Sequence, residues 1–151
     1  MNPIVHIKCP IRYQALIDQT RIMEVINASF DLLELSTDLE ITIAFVSNAK
    51  IRQLNKAFLM NDKVTDVLAF PTQEADPLTH IPYLGDIVIA VPKVKQQAEK
   101  NHLLLMEEII ILIVHGLLHL LGHDHDNANS KEKMWLIQNS ILTSLNNPIP
   151  N

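Results

Sequence analysis

The stretch from Leu103 to Leu121 decides most of what this chain can become. It is apolar almost throughout. Ile109-Ile110-Ile111-Leu112-Ile113-Val114 runs unbroken, and His115 and His119 follow near its end. The β-branched side chains favour a strand by propensity, but the stretch is too long for a typical strand. Glu107 and Glu108 put negative charge where a helix N-terminus is stabilised by it, and Gly122 is a natural helix stop. The reading is therefore a helix, apolar all round and so central and buried. It falls short of the ~20 apolar residues that span a bilayer. No signal-peptide pattern opens the chain at Met1-Asn2-Pro3.

Four of the seven histidines, His115, His119, His123 and His125, lie within eleven residues. Uniform scatter would place about half of one there, a departure of the kind metal-binding tracts show. His115 and His119 are spaced i, i+4, so on a helix their rings leave one face. Gly122 lets the chain turn and bring His125 back as a third ligand. Three neutral imidazoles with an open fourth position describe a catalytic zinc-type site. No cysteine lies nearby to close that position, although Asp124 or Asp126 is able to. His123 stands at the wrong helical interval, and isolated His6, His80 and His102 read as surface or loop residues. In the metalloprotease signature a glutamate follows the first ligand as general base. Here that place is Gly116, which argues against peptide hydrolysis.

The remaining pattern reads as one domain of 151 residues, large enough to fold without a disulfide or a structural metal. The only cysteine, Cys9, reads as a small buried side chain and fits a reducing compartment. The net charge of −5 excludes a globally basic nucleic-acid binder but not a local basic patch. Arg52, Lys56 and Lys63, and later Lys93, Lys95 and Lys100, are the candidate cations.

Strands are expected over Pro3–Lys8, around Leu39-Ile41-Ile43-Phe45, over Val67–Phe70 and over Asp86–Val91. Helices are expected over Ile11–Ala28, after a Ser47 cap, from Pro92 to Asn101 and over Lys131–Leu145. Thr72–Leu84, with Pro77 and Pro82, reads as a surface loop. The fold class is α+β: a small mixed sheet packed with helices around the central histidine-bearing helix. The protein is expected to be soluble and cytoplasmic.

The run His115-Gly116-Leu117-Leu118-His119-Leu120-Leu121-Gly122-His123-Asp124-His125 closely resembles the signature of the YbeY endoribonuclease family. Three further segments are similar and occur in the family's order: Leu54-Asn55, Thr65-Asp66-Val67-Leu68-Ala69-Phe70-Pro71, and Leu84-Gly85-Asp86-Ile87-Val88-Ile89. Together they cover roughly residues 39 to 145. The resemblance implies a zincin-like α+β domain. It implies one zinc-type ion held by His115, His119 and His125, with His115 also counted as catalytic; nickel is the alternative ion. It implies cleavage of single-stranded RNA in small-subunit (16S) rRNA maturation and ribosome quality control. The implied partners are ribosomal RNA and the small ribosomal subunit, with no membrane and no DNA.

Three positions depart from the family pattern. Leu59 stands where the family places an arginine, His123 replaces a tyrosine, and Gln138 stands where many members carry glutamate. A leucine cannot hold a phosphate or stabilise developing charge. Two other readings follow: a metal-binding ribosome-assembly factor with weakened or lost cleavage, and a metal hydrolase of another substrate. Asp124 could orient a ligand histidine, Asp86 could face the cleft from its strand, and Thr65 and Asp66 could be turn or capping groups.

Overall fold

The computed structural model describes residues 3–72 and 74–150. The N-terminal dipeptide and Gln73, on which part of the leader and loop readings fall, lie outside these residues. The strands are β1 (Ile4–Lys8), β2 (Glu40–Val46), β3 (Val67–Pro71) and β4 (Tyr83–Ala90). The helices are α1 (Ile11–Gln14), α2 (Gln19–Leu32), α3 (Asn48–Leu59), α4 (Val91–Lys100), α5 (Leu105–Leu120) and α6 (Ala128–Ser144). The sheet order is β1-β2-β4-β3. β1, β2 and β4 run parallel, and edge strand β3 runs antiparallel to β4. This is the mixed α+β architecture expected.

The isoleucine-rich run is helical, and burial explains why propensity loses. Ile109, Ile113, Val114, Leu117 and Leu118 of α5 are wholly buried, as are Ile41, Ile43, Ile87 and Ile89 on the facing sheet. Each such side chain contributes about 1.5–3 kcal/mol, far more than the few tenths that separate β-branched residues from better helix formers. α5 packs on β3 and β4 and against α2, α4 and α6. Its start is held by Glu107, whose carboxyl group accepts the Leu104 N–H at 2.8 Å. At Gly116 the helix comes so close to the sheet that an added Cβ would sit 3.0 Å from Cγ2 of Ile87.

Strand alternation gives the sheet two different faces. Ile87 meets α5, so its neighbours Asp86 and Val88 turn away from it. Val88 packs with Ile51, Leu68 and Ala90 under α3. Asp86 therefore does not face the cleft of the histidines, as the sequence had suggested. It accepts a hydrogen bond from the Tyr83 hydroxyl, and that hydroxyl also lies 2.5 Å from Thr42 Oγ1.

Four expectations are corrected in detail. The single helix over Ile11–Ala28 is two helices. Asp18 caps α2 by accepting the Arg21 N–H at 3.1 Å, and this local bond competes with helix continuation. Leu16, at the break between the two helices, is 41% exposed. The loop from Thr72 closes as a hairpin arm, with Tyr83 N–H bonded to Glu74 O at 2.7 Å and a bridge between Ala75 and Pro82. β4 accordingly starts at Tyr83 and ends at Ala90, and Val91 opens α4. The last helix starts at Ala128, one turn early, because Asn127 accepts the Ser130 N–H at 3.0 Å.

Candidate metal centre

The end of α5 is a turn that the sequence dictates. Gly122 has φ +93°. Its N–H bonds His119 O at 3.0 Å, and the next N–H, of His123, bonds Leu118 O at 3.0 Å. This pair of bonds is the Schellman stop. It reverses the chain and carries His125 back over the last turn of the helix.

The three expected ligands converge. His115 Nε2 and His119 Nε2 are 3.0 Å apart. One ligand nitrogen from each of His115, His119 and His125 lies within 4.8 Å of the others. Ring centroids are 4.6, 5.9 and 5.1 Å apart for 115–119, 115–125 and 119–125. Nitrogens sharing a tetrahedral ion at ~2.05 Å would be about 3.3 Å apart, so the donor set fits one ion with little movement. His115 and His119 are half-buried, and His125 is exposed.

The protonation states suit ligation. Burial is the main cause that holds the His115 imidazole below its ordinary value, against the hydrogen bond to Gln138, which raises it. Burial also lowers His119, helped by its neighbours His115 and His125. Both rings are thereby kept neutral near pH 7, with a lone pair free. Gln138, buried on α6, accepts from His115 Nδ1 at 2.9 Å through its Oε1. An amide oxygen only accepts, so the proton sits on Nδ1 and the Nε2 lone pair points into the cluster. In the sequence Gln138 registers as a departure from the family's glutamate. Its place beneath His115 is set by tertiary packing.

The other expected residues divide. His123 contributes its backbone to the helix stop and is not in the cluster. His6 pairs with Glu40 at 2.5 Å, while His80 and His102 sit in exposed turns. Asp124 is a turn carboxylate. The backbone N–H of Asp126 and then Ser130 hold its carboxyl group below the usual range. Asp66 caps β3 by accepting the Val67 N–H at 2.8 Å and the Thr65 hydroxyl at 3.3 Å, and it also walls the cleft beside His115. Arg52 is tied to Asp62 at 2.8 Å. Asn55 of the Leu54-Asn55 motif is buried and donates to Lys63 O at 3.0 Å, which pins the following loop.

The cleft, about 360 Å³, runs along β3. Leu59, at the end of α3, lines it together with the three histidines. The position of the missing arginine is therefore at the site, and it supplies no charge there. Gly116 also lines the cleft, and a larger side chain would have to displace Ile87. A protease-type glutamate has no room at this position.

Sequence reasoning missed Glu108, treating it as helix-end charge. Its side chain is buried and bonded to Gln97 at 2.9 Å and to Asn101 at 3.4 Å. A usable signal was present: Glu108 precedes His115 by seven residues, two helical turns, and so shares its face.

Among the described residues, no single helix is long and apolar enough to cross a membrane. Comparison with known proteins agrees with the geometry. The family model described as Endoribonuclease YbeY matches residues 11–146. A protein of Pseudomonas putida named Endoribonuclease YbeY is 40% identical over 79% of this chain and 76% of its own length. One of that name from Sulfurihydrogenibium is 42% identical over 72% and 71%. The solution structure of TM1509 from Thermotoga maritima has a TM-score of 0.56 at 23% identity, covering 95% of this chain and 92% of that one, which supports the fold. With the signature histidines gathered at one point and the match running from α1 to beyond α6, the chain belongs to the YbeY endoribonuclease family.

Proposed function

We propose that this chain is a metal-dependent endoribonuclease that cuts single-stranded RNA, acting in the cytoplasm on small-subunit (16S) rRNA during its maturation and in ribosome quality control. The observation that carries the reading is the convergence of three imidazoles on one point of an open cleft. His115, His119 and His125 are assigned as ligands of one divalent ion, zinc first and nickel as the alternative. Such an ion, when bound, supplies Lewis-acid polarisation of a phosphate oxygen.

The protein's own groups do the rest. Gln138 fixes the His115 tautomer and orientation. Asp66 borders the reacting position. The edge of β3 walls one side and leaves room for an extended strand. With Leu59 uncharged and Arg52 engaged by Asp62, Lys56 and Lys63 are the cations of the adjoining loop.

The test is cleavage of an end-labelled single-stranded RNA by zinc-loaded protein. His119→Ala should lower the rate by about a thousandfold and abolish stoichiometric metal retention. Intact RNA with the loaded wild type, or equal cleavage by the variant, would overturn the reading.

A further inference from the structure

Behind His115, on the side away from the ligand nitrogens, lies a second cavity of about 530 Å³. It shares Asp66, Val67 and His115 with the metal cleft, so the two adjoin. Trp135 lines it, with Ile111, Leu112 and Ile149 among the apolar residues around it. The polar wall is unusual. Gln97 Nε2 donates to Asp66 at 3.1 Å and to Glu108 at 2.9 Å, so one amide nitrogen bridges two carboxyl groups. Glu108 is only 4% exposed. Among the described residues neither carboxyl group has a cationic partner. Buried carboxyl groups without a cation are costly unless donors reach them, and the amides of Gln97 and Asn101 leave acceptor capacity unused.

An aromatic plate beside an acceptor-rich wall suits a flat ring that carries N–H donors. We infer that this cavity is a base-recognition subsite that takes one nucleobase of the single-stranded RNA next to the metal centre and selects bases bearing an exocyclic amino group, guanine foremost. The inference rests on the endoribonuclease reading and adds to it the sequence preference of the same site. Guanine offers a carboxylate two parallel donors, N1–H and N2–H, and cytosine offers N4–H. Uracil presents one donor between two carbonyl oxygens, which two carboxyl groups repel. Stacking on Trp135 holds whichever base enters. The phosphate side is provided for as well. The hollow next to the cavity shares Gln97 and Asn101 with it and is flanked by Lys93 and Lys100.

Trp135 is the only tryptophan, so intrinsic fluorescence comes from one wall of this cavity, a residue that also borders a hollow beside Lys131 and Leu136. The zinc-loaded protein is titrated with GMP, CMP, AMP and UMP. Saturable quenching is expected, with UMP binding at least about tenfold more weakly than GMP. Glu108→Gln, checked by circular dichroism for folding, should bring the two within about twofold. Lys100→Gln should weaken GMP but not guanosine. Equal dissociation constants for wild-type protein with GMP and UMP, or quenching that never saturates, would overturn the assignment whatever the variants do. The same preparation is assayed on RNA. Cleavage without GMP saturation removes the subsite and leaves the endoribonuclease reading. GMP saturation without cleavage removes that reading and leaves the subsite.

Discussion

The two faces of the sheet are built from the same strands and do opposite things. On the α5 face, Ile41, Ile43, Ile87 and Ile89 lie wholly buried under a helix whose buried side chains are apolar except for Glu108. The face is dry until the helix ends in histidines. On the α3 face a small cluster of Ile51, Leu68, Val88 and Ala90 gives way to a polar trio of half-buried Tyr83 and Asp86 and buried Thr42. On the first face one helix supplies both the packed core and two of the three ligand histidines, half-buried at its end. The second spreads a thinner core beneath polar groups and, among the described residues, brings no ligand-bearing cluster together.

Core deletions test that contrast most strongly. Ile113→Ala, beneath the histidines, should cost about 3–4 kcal/mol in urea unfolding, whereas Val88→Ala on the other face should cost about 2. Equal losses would mean that the two faces are packed alike.

Metal affinity sharpens the contrast further. Gln138→Leu removes the acceptor that holds the Nδ1 proton of His115 and should weaken zinc binding by about ten- to a hundredfold, measured by competition with a chromophoric chelator. Tyr83→Phe, on the opposite face, should leave that affinity unchanged. A zinc affinity that ignores Gln138 would remove the helix α6 contribution to the site.

The smallest effect belongs to the polar trio. Burial, reinforced by Asp86, pushes the Tyr83 phenol up to about 12. Between pH 10 and about 12 the unfolded chain releases this proton while the folded chain keeps it. Folding stability therefore falls across that window relative to lower pH. Tyr83→Phe should unfold with a shallower pH dependence there and cost about 1 kcal/mol at neutral pH. Identical slopes for the two proteins would show that the phenol is free.

What was legible in the sequence follows the range of the forces involved. Helix α5 could be read because its length, its acidic start and Gly122 all agree. The histidine trio could be read because a helical interval and a glycine turn are local geometry. Asp86 could not be placed, since strand parity says that it opposes Ile87 but not which of them meets α5. The break before α2 escaped because one Asp18 side-chain bond outweighed an apolar pattern that continued past it. Glu108 was legible by helical phase but was given to the macrodipole instead. Gln138 registered only as a departure from the family's glutamate and Gln97 was silent, for an amide takes its meaning from partners that only tertiary packing brings near.

Strand β3 has a further consequence. Ala90 N–H bonds Asp66 O, and Thr72 N–H bonds Leu84 O, so the residues between alternate, and Val67, Ala69 and Pro71 turn their backbone groups outward along the cleft. The working surface of the molecule is thus also an unpaired sheet margin, the kind of border on which chains self-associate into fibrils. Here the hazard is kept small: the strand is five residues long, Asp66 occupies the Val67 N–H, and Pro71 has no N–H to offer. Among the described residues of this edge, Ala69 alone turns out both an N–H and a C=O with no partner, so replacing Pro71 to widen the cleft would trade substrate access against colloidal safety.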